Sequence, residues 1–440
     1  MKKIIILGAG LAGLSAAFHI EREKNKLPDI DYEIFEKESR AGGLCRTEEK
    51  NGFLFDYSGH LLHLKNKYTK ELIEELLKNN IVCHKRDAWV YLKDKYIKYP
   101  FQANLDALPD DMRKECMNDF YEAEKKNREK RNSDFKNFED WIIGRFGRGI
   151  AKHFMLPYNK KLWRNDLREI SCSWVDEFIP VPESEEITEL KVKGERKEYG
   201  YNITFQYPKS GGIQMLPDAF EKKVIKIRFG MEVKEIDLKN KVLKFSNNEE
   251  IKYDILISTI PLKELIRISI NSPKQIKNYG GFLRHNSVLI FNFGINENDS
   301  SKHWVYVPEA IYPFYRFGYF SNFSQNMAPK RKSSIYCEVS YGGDENADEE
   351  EVYNQVINGL IDIGVIKDKC EILETKTLKI EYAYIIYNRE YESSINKIHN
   401  FLKHLDIFSI GRYGRWKYSS MEDAILEGKE MASKIAEGHI

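Results

Sequence analysis

An α/β fold built on a parallel sheet, interrupted by a helical insertion and an antiparallel one, is what this sequence predicts. Three observations carry it. An apolar run leads into Gly8-Ala9-Gly10-Leu11-Ala12-Gly13 and a helical pattern; strand patterns return from Ile203 onward; and the chain ends in strand, turn and helix. At 440 residues the chain is too long for one ordinary core, and its 42% apolar and 31% charged residues describe a soluble globular protein. A formal net charge of +1 gives no global field for nucleic acid or an anionic membrane, so any anion must be held by local arginines.

The first strand is Ile4 to Leu7, a continuous apolar run of buried-strand length. It stops at Gly8, far short of a signal peptide, and nothing downstream approaches the ~18 apolar residues of a membrane span. A helix over Leu14 to Glu23 and a strand over Tyr32 to Glu36 follow. Helical periodicity covers Tyr68 to Asn79 and dominates Asn104 to Arg164, where the charge run Glu122 to Arg131 reads as a solvated helix face. Pro180 to Tyr199, rich in Pro, Glu and Lys, reads as a long mobile loop. Gly230 to Ile260 alternates as a meander, and Asp254 to Pro261 reads as a buried strand ending in a turn. Ser287 to Gly294, Trp304 to Phe320 and Ser334 to Val339 read as strands of a separate sheet, with a helix near Glu351 to Ile363. Ile407 to Gly411 and Met421 to Glu437 form the closing strand and helix. The expected division is 1–85, 209–280 and 405–440 for the dinucleotide domain and 105–190 for a helical substrate domain. Residues 86–104, 191–208 and 281–404 then make the antiparallel sheet domain. Cys45, Cys83, Cys116, Cys172, Cys337 and Cys370 form no CxxC pair and sit near no histidine at zinc-ligand spacing. They read as reduced thiols of a cytoplasmic protein without a metal.

The glycine fingerprint has the context its chemistry needs, directly after a strand and directly before a helix. Gly8 permits the tight turn, Gly10 lets backbone approach a pyrophosphate, and Gly13 lets the helix pack on the strand. The helix N-terminus then presents unpaired N–H groups to the phosphates. Glu36, 28 residues after Gly8, ends the second strand where a carboxylate can bind a ribose hydroxyl. FAD and NAD share these features. Arg40-Ala41-Gly42-Gly43-Leu44-Cys45-Arg46 resembles the second signature of the glutathione-reductase-type FAD folds, particularly the amine oxidase and mutase branches. In it Arg40 and Arg46 supply positive charge. The strand end Ser258 to Pro261 fits that pattern too, and a second dinucleotide fingerprint is absent. FAD is the expected cofactor.

Several segments resemble the UDP-galactopyranose mutases, especially the longer eukaryotic-type branch. They are Phe55 to His60, Tyr99 to Gln102, Pro157 to Trp163, Tyr201 to Phe205, Trp304 to Asn322 and Gly411 to Tyr418. Some also resemble a broader set of protoporphyrinogen-oxidase-like proteins. The mutase resemblance implies that the nitrogen N5 of reduced flavin attacks the anomeric carbon of a nucleotide sugar, most simply a UDP-sugar, and expels the nucleoside diphosphate. It implies roles residue by residue. Arg316, Tyr384 and Tyr418 would hold the diphosphate; Arg412 and, more weakly, Arg86 would stand beside the flavin; His60, after Ser58-Gly59, would lie on the flavin-side loop. The cofactor set would take in Leu11, Ala12, Lys37, Gly43, Leu44 and Arg46, with Gly59, Val233, Met421 and Asp423. Phe154, Tyr158 and Trp163 read in isolation as a helix core stripe. The resemblance sets them against a uridine and its ribose instead, with Tyr99 and Gln102 nearby; it sets Asn202 near the sugar and diphosphate and counts Tyr306 among the substrate-binding residues. His63 reads as structural.

One position departs from the family. Where the family carries a second diphosphate arginine, this chain has Phe178, with Arg415 as a substitute cation in the neighbourhood. The sugar and the base therefore stay open, as do the reductant and a homo-oligomeric state. An FAD-dependent oxidoreductase of the amine or protoporphyrinogen oxidase type is the alternative.

Overall fold

The computed structural model describes residues 1–175, 179, 181–182, 203–343, 345 and 347–440. Lys2–Leu7 is the middle strand of a five-stranded sheet. The order is Ile407–Ser409, Ile255–Ser258, Lys2–Leu7, Ile30–Phe35, Ile227–Arg228, and every neighbour is parallel. Three distant stretches of chain thus share one sheet. Strand period sorts the apolar run onto two faces. Ile4 and Ile6 share a core with Leu14, Phe18 and Ile425 of helices Leu11–Arg22 and Met421–Ala436. Ile5, Leu7 and Phe35 pack with Ile236, Leu243 and Phe245 of an antiparallel meander over Val233–Asp237, Val242–Phe245 and Glu250–Lys252. Burial on both faces explains why the strand is apolar throughout.

The second sheet has eight strands. Its main path runs Ile372–Ile380, Arg284–Asn296, Lys332–Gly342, Arg316–Tyr319, Trp304–Tyr306, Ala88–Leu92, Lys95–Lys98, and Ile385–Ile386 pairs with Arg284–Asn296 off it. All its pairings are antiparallel except that of Trp304–Tyr306 with Ala88–Leu92. Helix Glu349–Asp362 covers one face, its Val356, Ile357 and Leu360 sharing a core with Phe291, Phe293, Phe317 and Cys337. The strand pattern Trp304 to Phe320 resolves into two strands joined by the loop 307–315. Thr204–Tyr207 pairs with Val82–Lys85 in a ribbon of its own.

Helices Asp110–Asn127 and Phe138–Ile150 lie against each other, close enough that a Cβ on Gly149 would sit 2.7 Å from Cys116 Cα. The charge run is solvated, with only Ala123 and Asn127 turned inward. Beyond Ile150 the helix changes to a π-turn, Ala151–Met155, and then to helix Leu156–Trp163.

The first helix starts at Leu11, three residues before the expected boundary, because Gly10 serves as its N-cap and the rest of the fingerprint is its first turn. Helices Met215–Glu221, Leu262–Ile268, Lys274–Gly281 and Tyr391–Lys403 were not anticipated. The first three are too short to show a helical period. The segment read as a mobile loop, Pro180 to Tyr199, lies outside the described residues apart from Val181 and Pro182.

The first and last helices meet where a Cβ on Gly428 would stand 2.6 Å from Ala16 N and 2.7 Å from Ala12 O. Gly428→Ala is expected to cost about 1–3 kcal/mol through overpacking against rigid backbone. Thermal unfolding checks it; an unchanged Tm contradicts this packing.

Candidate functional site

A cavity of about 1210 Å³ opens at the carboxyl ends of the parallel strands, where Leu7, Phe35, Thr259 and Gly411 contribute to its wall. That crevice is where open parallel sheets bind ligands. The antiparallel sheet and the helix Leu156–Trp163 close its other sides.

At the sheet end two glycine turns lie against each other. A Cβ on Gly43 would sit 3.3 Å from Gly10 Cα, and Gly42 N donates to Ala9 O at 2.9 Å. Gly8 has φ +97°, and a Cβ there would stand 2.3 Å from Thr259 Oγ1. A Cβ on Gly13 would strike Gly8 O at 2.0 Å. Gly13 therefore serves packing and stands behind the wall, while Gly8, Gly10, Leu11 and Ala12 line it. No side chain caps the first helix, so its free N–H groups are left for a ligand. Glu36 is fixed by the N–H groups of Ala9 (2.7 Å to Oε2) and Glu38 (2.9 Å to Oε1) at the cavity edge. Lys37, Leu44, Arg46 and Val233 complete this end. Arg46 donates to Gly43 O at 3.0 Å. Arg40 does not join it: its guanidinium is turned to Glu48 at 2.5 Å and lies outside the wall.

The far end of the cavity is set by strand register. Tyr306 pairs with Arg316, Arg316 with Glu338, and Glu338 with Ile290, so four side chains from four strands form one row on one face. Glu338 is fully buried and grips Arg316 with two bonds, Nε–Oε2 2.6 Å and Nη2–Oε1 2.8 Å. Ser58 donates to the same carboxylate and accepts from Arg316 Nη2 at 3.3 Å. Burial works against the Arg316 charge, but the Glu338 carboxylate overrides it and holds the guanidinium well above its ordinary value. Tyr384 and Tyr418 stack with centroids 6.3 Å apart and planes 8° from parallel. Arg412 lies over the Tyr418 ring at 4.5 Å and donates to the carbonyls of Ser419 (3.1 Å) and Ala383 (3.0 Å). Tyr315 OH meets Tyr384 OH at 3.4 Å, and burial pushes the Tyr384 phenol up to about 12 against the pull of Arg316. Tyr315 and Tyr384 therefore stay protonated donors at neutral pH.

Gly59, His60, Met421 and Asp423 also line the cavity. Burial, then Arg412, lowers the His60 imidazole to about 4, so it is neutral in the folded protein. His60 Nδ1, Arg412 Nε and Ser419 Oγ are buried on this wall without hydrogen-bond partners. Such orphans in a wall suit a polar bound group. His63 bonds the Thr204 carbonyl at 3.3 Å and also reaches the wall.

The third side is aromatic. Phe154 and Tyr158 stack at 5.5 Å, Tyr158 meets Tyr306 edge-on at 5.3 Å, and Trp163 meets Tyr384 at 5.9 Å. The π-turn places an extra residue just before Tyr158, turning Phe154 and Tyr158 toward one cavity. Arg86 stacks over Tyr99 at 5.0 Å beside the buried Gln102. Asn202 and Phe178 lie outside the described residues. Arg415 is not a substitute cation: it turns to Glu427 at 3.9 Å and is absent from the wall.

Glu338, Tyr315, Tyr336 and Ser419 were missed from sequence. Only Glu338 left a signal, as the single charge within the strand Ser334 to Val339.

With a glycine cradle, a carboxylate fixed at the end of the second strand and a partly unsatisfied polar wall, the fold and site define a flavin-binding protein. The chain belongs to the flavin-containing amine oxidoreductase family, whose model matches residues 11–436, and its cofactor is FAD. It superposes on a reduced UDP-galactopyranose mutase with TM-score 0.92 and 26% identity, over 100% of this chain and 94% of that one. A fatty acid isomerase from P. acnes shares the fold alone, with TM-score 0.68 and 13% identity over 98% of both chains. Coproporphyrinogen III oxidase of Staphylococcus aureus (strain NCTC 8325 / PS 47) is 21% identical over 289 residues, 59% of this chain and 60% of that relative's length. No described helix is long and apolar enough to cross a membrane.

Burial lowers His19, His60, His63, His303 and His399 from 6.5 to about 4. The unfolded chain binds these protons below pH 6.5 and the folded chain resists them, so stability is withdrawn as pH falls from 6.5 toward 4. Asp56, raised from 3.8 to about 7 by burial, acts oppositely and gains stability as pH falls through 7. Five groups outweigh one. Tm is expected to fall steadily between about pH 7 and pH 5; a flat or rising Tm refutes the balance.

Proposed function

We propose that this chain is an FAD-dependent nucleotide-sugar mutase that interconverts pyranose and furanose rings, with a UDP-sugar as the simplest substrate. One observation carries the reading: Arg316, Tyr384, Tyr418 and Arg412, from three distant segments, line one cavity wall. The likeness to a UDP-galactopyranose mutase at 26% identity supports it.

Reduced FAD, when bound, supplies the nucleophilic nitrogen for the anomeric carbon. The chain's part is to manage the diphosphate. As the bond to the sugar weakens, negative charge grows on the departing oxygens, and fixed cations and O–H donors stabilise it. Arg316 is pre-oriented by Glu338, so little reorganisation is needed when the charge appears. Tyr384 remains protonated and donates without delivering a proton, and the Tyr418 hydroxyl stands beside it. Because Glu338 cancels part of the Arg316 charge, the leaving diphosphate is held without being trapped and stays available for recapture. The aromatic side seats the nucleoside and excludes water, which would otherwise hydrolyse the activated sugar. Neutral His60 adds no further cation to the flavin zone.

The match to a coproporphyrinogen III oxidase favours a second reading, an FAD-dependent oxidoreductase. Dithionite-reduced enzyme under anaerobic conditions separates them. A mutase turns over many times per flavin with UDP-galactopyranose and consumes neither reductant nor oxygen. Net flavin oxidation or reduction in step with substrate, without isomerisation, overturns the mutase.

Arg316→Ala is expected to lower kcat/KM by about 10²–10³-fold while FAD content stays unchanged. Steady-state kinetics with flavin absorbance check this, and activity within a few-fold of wild type removes Arg316 from the diphosphate.

A further inference from the structure

The sequence carries two adjacent lysines, Lys160 and Lys161, in the middle of the helix Leu156–Trp163. They have different fates. Lys160 is exposed, whereas Lys161 turns inward. Its Nζ donates to three backbone carbonyls of the neighbouring hairpin loop: Val307 O at 2.8 Å, Glu309 O at 2.9 Å and Phe314 O at 2.6 Å. Three acceptors match the three N–H bonds of an ammonium. Burial lowers this lysine to about 7, and the Glu309 carboxylate in the same loop opposes the shift.

The loop matters because of what flanks it. Tyr306 precedes it, and Tyr315 and Arg316 end it. On the helix side, Tyr158 lies one turn before Lys161 and meets Tyr306 at 5.3 Å and Tyr315 at 6.2 Å. The neighbouring Leu162 carbonyl accepts from Asn286 Nδ2 at 2.6 Å, and Asn286 Oδ1 accepts from Tyr384 N at 2.9 Å. One helical turn is thus tied to the Arg316 strand on one side and to Tyr384 on the other.

We propose that Lys161 is a positioning residue for nucleotide recognition, stapling the loop 307–315 to the helix that carries Tyr158 so that the aromatic wall and Arg316 keep one spacing. It touches neither end of the cofactor cradle and does not line the cavity. Its effect reaches the ligand through Tyr306, Tyr315 and Arg316. Without the ammonium, three inward carbonyls lose their donor, which the loop relieves by moving outward to water.

The proposal rests on the nucleotide-sugar reading, and the test separates the two. Lys161→Met keeps the length and loses all three donors; Lys161→Gln restores an N–H₂ group on a shorter stem. UDP affinity of reduced holoenzyme is measured by calorimetry, kcat and KM with UDP-galactopyranose, and amide exchange over residues 307–315 without nucleotide. The expected result is a UDP affinity about tenfold weaker in Lys161→Met, with KM raised and kcat within about threefold. Lys161→Gln falls between wild type and Met, the loop amides exchange faster in the same order, and the flavin spectrum is unaltered. Wild-type exchange and UDP affinity in Lys161→Met overturn the staple, as does an equal loss in kcat with KM unchanged. If wild-type enzyme binds no UDP, the function reading fails, and faster loop exchange still decides whether Lys161 holds the loop. Should Lys161→Met fail to fold, Lys161→Gln alone gives the same three readouts.

Discussion

A guanidinium in the wall of a cavity needs a partner that holds it without consuming it. Here that partner is Glu338, opposite Arg316 on the next strand and fully buried. Removing either member would leave a buried uncompensated charge, so the pair fixes the register of the strands that carry it. Because strand side chains alternate, a slip of one residue would send Arg316, Tyr306 and Glu338 to the opposite face, under the helix Glu349–Asp362. The polar end of the cavity is therefore a property of strand pairing before it is a property of any single side chain.

From that row outward the cavity changes character in a fixed order. Cationic and phenolic groups stand at one end, with neutral His60 within reach of their charge, and a glycine cradle and a carboxylate at the other. The ends come from different sheets and meet only because the parallel sheet opens at its carboxyl edge. Arg412 spans the join, bonded to carbonyls at Ala383 and Ser419 and stacked on Tyr418. The aromatic helix presents no charged side chain to the cavity and completes the enclosure.

What was legible in the sequence was what is local. The glycine turn, the strand before it and Glu36 are set by neighbours within one βαβ unit, and the structure places all three at the same end of the parallel sheet. Arg40 and Arg415 show where that logic stops: both sit in the right segments, yet each found a nearer carboxylate, Glu48 and Glu427. Glu338 was hidden because its partner lies 22 residues away and pairing register cannot be read from one strand. The π-turn left no trace, since an added residue within a helical run alters neither composition nor apolar spacing enough to be noticed. Arg316 and Tyr384 came from family likeness, and periodicity alone would not have separated them from ordinary strand residues.

The parallel sheet has a consequence for the order in which the molecule is made. Its middle strand Lys2–Leu7 is synthesised well before the edge strand Ile407–Ser409 and the helix that packs at Gly428. At 5–20 residues per second, roughly 20–80 s separate them. During that interval the glycine turn exists without the helix that buries its far side, and the whole antiparallel sheet is synthesised in between. A nascent chain that captured its cofactor early would hold it in half a cradle, so tight retention waits for that later strand and helix.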